Sequence, residues 1–200
     1  LDRHNSMDEY IKAKKRVFNN QNQEDFAIIN IDNIESRKVY EELLNNRQQK
    51  VVAISTKKLP PILELKSPST LMISMIDEMI YHNFNIGKVE KYKCSSQFLK
   101  GEHNSQNIAF AFAITKCYFK LIDQEINDEK IIAFILDFQG LRHRLQMIEK
   151  VDNINFINDS KATNINSTWY ALESMEEQTI WIAGGVDKGN DYTMLEALVK

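Results

Sequence analysis

Residues 158–164 read Asn-Asp-Ser-Lys-Ala-Thr-Asn. Asp159, Lys161 and the hydroxyls of Ser160 and Thr163 therefore share one short stretch. Before it, Ile154-Asn155-Phe156-Ile157 alternates as a strand does; after it, Ser167 to Met175 reads as a helix. The pattern then returns. Thr179 to Ala183 reads as a strand, Gly184-Gly185-Val186-Asp187-Lys188-Gly189 as a turn, and a new helix is expected beyond it. If strands 153–158 and 179–183 are parallel neighbours, both turns open on the carboxyl edge of one sheet, where ligands of α/β proteins sit. Lys161 and Lys188 would converge there. The free N–H groups of the helix after Asn164 would favour an anion at the same place. That chemistry suits a carboxylate or a phosphate. The plainer alternative makes Asp159 and Asn164 turn and cap residues and leaves both lysines solvated.

Three other stretches carry usable chemistry. His143-Arg144 follows a composition change at Gly140. A guanidinium there could hold phosphate bidentately, or pair with a surface carboxylate. Asn104 and Asn107 share a face at the first turn of a helix opened by Gly101-Glu102-His103. Carboxamides donate and accept, as an adenine edge requires; alternatively Asn104 is an N-cap and His103 a satisfied histidine. Lys14 lies in Tyr10-Ile11-Lys12-Ala13-Lys14-Lys15-Arg16, by default a solvated basic face.

These residues need elements to position them. Ser6 to Asn20 reads as a helix, with Ser6 and Glu9 at capping-box spacing. Phe26 to Asn30 is a buried strand. Asp32 or Asn33 caps a helix to about Asn45, and Lys50 to Ser55 is a second strand. This β-α-β run predicts a parallel, right-handed unit and an α/β class. Pro60, Pro61 and Pro68 break the next region. Leu71–Ile76 and Gly87–Cys94 could form a hairpin, with Met79 to Phe84 ambiguous. Asn104 opens a helix to Phe119 with Ile108, Ala111, Phe112 and Phe119 on its apolar face, and Asp128 to Phe138 is another. Arg142–Val151 and Asn153–Asn158 read as strands joined at Asp152-Asn153. A boundary near Gln139 to Leu141 divides the chain into 1–139 and 140–200.

Composition narrows the class. With 200 residues, 43% hydrophobic, the chain can build one or two cores. A net charge of -3 without a basic stripe excludes an ordinary nucleic-acid binder. No apolar run reaches the ~18 residues of a membrane span, and Leu1-Asp2-Arg3-His4 begins no signal peptide. Cys94 and Cys117 lack CxxC spacing and read as a reduced, cytosolic pair rather than nucleophiles. The chain does not start with Met and stops within a helical pattern, so it reads as a piece of a longer protein.

Taken in order, Leu1 to His4, Tyr10 to Lys14, Gly101 to Asn107, Gly140 to Arg144, Asn158 to Asn164 and Gly184 to Gly189 resemble the Mur ligases over nearly the whole chain. The Asp-Ser-Lys-Ala-Thr-Asn run resembles the branch that adds glutamate. The resemblance implies part of a P-loop-type central ATPase domain (1–139) followed by part of a Rossmann-like C-terminal domain (140–200). It implies a cytoplasmic, monomeric enzyme that uses ATP and Mg²⁺ to join D-glutamate to UDP-N-acetylmuramoyl-L-alanine through an acyl phosphate. By the same resemblance Lys14 is carbamylated and helps hold Mg²⁺, and Asn104 and Asn107 contact adenine. His143 and Arg144 lie at the nucleotide, with Arg144 on its phosphates, and Asp159 holds the ribose. Lys161, Thr163 and Lys188 surround D-glutamate and the moving phosphoryl group. Gln146 departs from the family, which often has Glu there. Another Mur-type ligase, a folylpolyglutamate ligase, or a non-catalytic binding module on this fold are the competing readings.

Overall fold

A computed structural model of the chain describes residues 5–46, 48–57, 70–85, 88–96, 98–186 and 189–199. Pro60, Pro61, Pro68, Gly87, Asp187 and Lys188 lie outside the described residues. The chain forms two compact units. One comprises 1–96 and 104–137, the other 97–103 and 138–200.

The first unit is built on a five-stranded sheet ordered β1 (Phe26–Asn30), β2 (Lys50–Ser55), β3 (Leu71–Ile76), β4 (Met79–His82) and β5 (Glu90–Lys93). β1, β2 and β3 run parallel; β4 and β5 continue as an antiparallel meander. The expected pairing of 71–76 with 87–94 is thus corrected, because β4 lies between them. Five consecutive residues of β2, Val51 to Ser55, are buried, as fits a strand covered on both faces.

α2 (Ile34–Asn46) makes the β-α-β crossover. Asn33 starts it by accepting the N–H groups of Glu35 (2.9 Å) and Ser36 (3.3 Å). Its Leu43 packs with Ala27, Ile29 and Val51. At the carboxyl ends of β1 and β2, Asp32 accepts from the Ser55 hydroxyl (2.5 Å) and from the Thr56 N–H (2.7 Å) and hydroxyl (2.9 Å). One carboxylate therefore ties that edge together.

α1 (Met7–Lys15) is shorter than expected and ends in a 3₁₀ turn, Arg16–Phe18. Ser6 caps it through the Glu9 N–H at 3.2 Å, while Glu9 reaches back to the Asn5 N–H at 3.0 Å. The box is closed one residue early.

α3 (Glu102–Leu121) begins two residues before Asn104, which is neither opener nor N-cap. Gly101, at φ +85, makes the entry, a conformation that favours glycine. Its buried stripe is Ile108, Ala109, Phe112, Ala113 and Cys117; Ala111 is exposed, contrary to expectation. α4 (Asp128–Asp137) buries Asp128, Ile131, Ile132 and Ile135. Cys94 follows β5 rather than lying within a strand, and both cysteines are buried and free.

The second unit holds the hairpin β6 (Gln146–Val151) and β7 (Ile154–Asn158), then α5 (Ile165–Glu173). Asp152 and Asn153, both at positive φ, make a two-residue turn suited to the strand twist. Residues 179–183 form no strand, which corrects the expected parallel pair: β7 pairs antiparallel with β6. The reason is physical. A strand exists through its ladder partner, and among the described residues none pairs with this segment, so Ile180 and Ile182 stand 92% and 90% exposed. The helix expected after Gly189 is a 3₁₀ turn, Thr193–Leu195. Among the described residues no helix is long and apolar enough to cross a membrane.

Candidate functional site

The second unit brings two of the expected stretches together. The loop entering β6 carries His143 and Arg144; the turn leaving β7 carries Asp159, Lys161 and Thr163. Hairpin strands put those two segments at the same end. The Lys161 N–H donates to the His143 carbonyl at 3.1 Å. The Leu145 N–H donates to Asp159 Oδ1 at 3.1 Å. Asp159 is half-buried by this contact, whereas His143, Arg144, Lys161 and Thr163 are exposed. The Thr163 N–H closes a tight turn onto the Lys161 carbonyl at 2.9 Å.

No carboxylate among the described residues pairs with Arg144, so the plainer salt-bridge explanation for it finds no partner there. Asn164 caps α5, accepting from the Ser167 N–H at 2.9 Å and the Ser167 hydroxyl at 3.1 Å. Lys188 lies outside the described residues, and the sheet rim that was to align it with Lys161 does not form.

His103 also belongs to this unit. Its ring lies 5.1 Å from that of Tyr170. Burial pushes its pKa down, against the pull of Glu173 and Asp159. Its Nδ1 is buried and has no hydrogen-bond partner among the described residues. Among those residues the expectation of a satisfied histidine is not met at that nitrogen. No residue spacing signals this, because Tyr170 and Glu173 arrive from a distant helix.

In the first unit, Asn107 Nδ2 donates to Asn104 Oδ1 at 3.3 Å. The two carboxamides do share a face, as the helical spacing predicts. Lys14 sits exposed in the last turn of α1 with its ammonium 5.4 Å from the centre of the Tyr10 ring.

One buried polar cluster escaped the sequence reading. His82 Nε2 lies 3.0 Å from Asp128 and 3.8 Å from Glu90. Lys116 reaches Asp128 at 2.5 Å, and the Tyr92 hydroxyl reaches it at 3.3 Å. The His82 ring is wholly buried, stacked 5.9 Å from Tyr92 and tilted against Phe112 at 5.0 Å. Burial lowers its pKa despite Asp128, and pushes Tyr92 up to about 12 with help from the same carboxylate. One histidine and two carboxylates have the composition of a metal site. The geometry does not fit one. His82 Nδ1 accepts the Phe84 N–H at 3.4 Å, so the ring proton belongs on Nε2, where a metal would need a lone pair. Lys116 already neutralises Asp128.

Comparison with known proteins turns on the first unit. Residues 1–115 match the Mur ligase middle domain. The chain belongs to the Mur ligase family. Curated Mur ligases align along its length. The UDP-N-acetylmuramoylalanine–D-glutamate ligase of Porphyromonas gingivalis is 41% identical over 202 residues, covering all of this chain and 41% of its own length. That of Christiangramia forsetii is 37% identical over 200 residues, again covering the whole chain and 41% of the relative. That of Rickettsia prowazekii is 35% identical over 188 residues, 94% of this chain and 38% of its own. The chain thus spans about two fifths of the length of the curated relatives it matches.

Proposed function

We propose that this chain is part of an ATP-dependent ligase that adds D-glutamate to UDP-N-acetylmuramoyl-L-alanine in the cytoplasm. The observation carrying this reading is the alignment of the whole chain, including 158–164, with ligases bearing that name. The lacing of the Arg144 loop to the Lys161 turn supports it, since a cationic pair held on one backbone frame suits a phosphoryl group beside an acidic substrate. In this reading the first unit is part of a P-loop-type ATPase domain and the second part of a Rossmann-like domain.

Each residue has a role in that reaction. Asn104 and Asn107 present donors and acceptors to adenine. His143 and Arg144 face the phosphates, and Asp159 accepts from ribose. The substrate carboxylate takes the γ-phosphoryl group and ADP departs. The amine of D-glutamate then attacks the acyl phosphate, the amide forms and phosphate leaves. Lys161, Lys188 and Arg144 offset negative charge as it moves, and Thr163 orients the incoming amino acid. No protein nucleophile is required, which agrees with burial pushing Cys94 up to about 11 and Cys117 up to about 12.

Lys14 bears on Mg²⁺. A bare ammonium repels the ion, but Lys14 is exposed, and once it has given a proton to solvent the neutral amine can add carbon dioxide; the resulting carbamate would supply the oxygen donors that hard Mg²⁺ takes. Mg²⁺ when bound would neutralise phosphate charge.

The test is phosphate release by full-length protein carrying this segment. Release that requires both UDP-N-acetylmuramoyl-L-alanine and D-glutamate supports the reading. Release driven by a different amino acid sinks it. The 200-residue piece alone is expected to show none.

A further inference from the structure

Gln146 and Asn158 are partners across the first rung of the β6–β7 hairpin. Cross-strand partners project from the same face, and both of these reach the same residue. Gln146 Oε1 accepts the His143 N–H at 2.9 Å. Asn158 Nδ2 lies 3.1 Å from His143 Nδ1. Asn158 Oδ1 meanwhile accepts the Ser160 N–H at 3.0 Å, inside the turn that leads to Lys161.

The loop they hold is strained. His143 and Leu145 sit at φ +65 and +42, left-handed conformations that non-glycine residues rarely adopt. They flank Arg144. Such backbone is costly and persists only where its surroundings over-determine it. Here they do so through the Gln146 acceptor, the Asp159 acceptor and the Lys161 N–H.

Asn158 also decides a proton position. The Ser160 N–H requires its oxygen, so the amide nitrogen must be what faces His143. An amide nitrogen only donates. His143 Nδ1 is then the acceptor, and the ring carries its proton on Nε2, where it can donate to an oxygen of a bound nucleotide.

We infer that Gln146 and Asn158 are positioning residues: together they hold Arg144 in its strained loop, fix His143 as the Nε2–H tautomer and keep both in register with the Lys161 turn. This rests on the ligase reading above. Neither residue touches substrate; both act through His143. The departure of this chain from the family's usual Glu at 146 is then neutral for a stated reason. Glu offers the same acceptor to the same N–H.

The experiment uses full-length protein carrying this segment. Nitrogen-15 NMR of His143 reads the tautomer, and steady-state kinetics read KM for ATP against kcat. The Nε2–H form is expected in the unaltered protein. Asn158→Asp keeps the oxygen for Ser160 but turns the donor into an acceptor, so His143 should switch to Nδ1–H while kcat/KM falls ~10- to 100-fold. Gln146→Met keeps length and loses the acceptor, and a fall of similar size is expected, mainly as a raised KM for ATP. Gln146→Glu should recover activity to within about threefold of the unaltered protein, the scale of a retained charge-assisted bond. An Nδ1–H tautomer in the unaltered protein, or equal kinetics for Gln146→Met and Gln146→Glu, overturns the inference. Arg144→Ala separates the layers. If it leaves ligation intact the underlying site reading fails; if it abolishes ligation while the positioning variants do not, only the inference fails.

Discussion

Lys161 is tied to His143 through the backbone, N–H to carbonyl at 3.1 Å, while its ammonium is exposed. Main chain and side chain therefore have separate tasks. Lys161→Ala leaves the tie and removes only the charge. In full-length protein we expect it to raise the KM for D-glutamate or lower kcat by ~100-fold, the scale of losing one group that stabilises developing charge. Lys188→Ala should do the same. Near-normal kinetics in both variants would remove these lysines from the site.

Lys14 offers a test by chemical rescue. If its role is to become a carbamate, Lys14→Ala should lose ligation, and added short carboxylates should restore part of it by supplying the missing oxygens. Full activity of Lys14→Ala without any additive shows that the ammonium was only a solvated cation.

Much of the α/β frame was legible because its signals are local. Phe26–Asn30, Lys50–Ser55 and the helix between them follow from apolar runs and the Asn33 cap. The β6–β7 hairpin follows from Asp152-Asn153, residues that tolerate left-handed φ. The β3–β4 hairpin turns at Asp77-Glu78, also left-handed, and Glu carries no such signal. The sequence of Met79 to Phe84 is therefore ambiguous. Thr179–Ala183 misled in the opposite direction: its alternation is real, but a ladder partner is a tertiary fact. At the site, the residues of 158–164 and 143–144 were legible as chemistry. Their mutual lacing was not, because Gln146 and Asn158 look like ordinary strand ends until the hairpin register places them side by side.

Asp128 should matter for stability without touching the proposed site. It is 7% exposed and compensates Lys116, whose side chain is 12% exposed. Asp128→Asn leaves that ammonium without its counter-charge, a change on the order of 3–5 kcal/mol for a buried pair. The urea midpoint should fall accordingly. Removing both partners together, as Asp128→Asn with Lys116→Met, should cost less than the single change. Additive losses in that cycle would show that the two groups do not act as a pair.

The buried thiols give a reactivity prediction. Burial raises both Cys94 and Cys117 well above the usual thiol range, to about 11 and about 12. The thiolate is the reactive form. Both should therefore resist an aromatic disulfide reagent at pH 8 and react promptly in denaturant. Fast modification of the native chain would contradict the packing of Cys117 against the first unit's core.

His82 sets an acid limit on the first unit. Its folded pKa lies below 6.5 because burial disfavours the imidazolium, with Lys116 acting in the same direction and Asp128 and Glu90 opposing. Above about pH 6.5 the ring is neutral in both folded and unfolded chains, and its contribution is fully present. As pH falls below 6.5 the unfolded chain takes up a proton that the folded ring resists, so stability declines until the folded pKa is passed. His82→Gln has no titrating ring and should flatten that part of the profile, though it loses contacts with Tyr92 and Phe112 and is less stable at neutral pH. The measurement is the urea midpoint between pH 5 and 7.5 for both proteins. Parallel profiles would mean that the acid sensitivity arises from other groups, and that Asp128 and Glu90 offset the effect of burial on His82 in full.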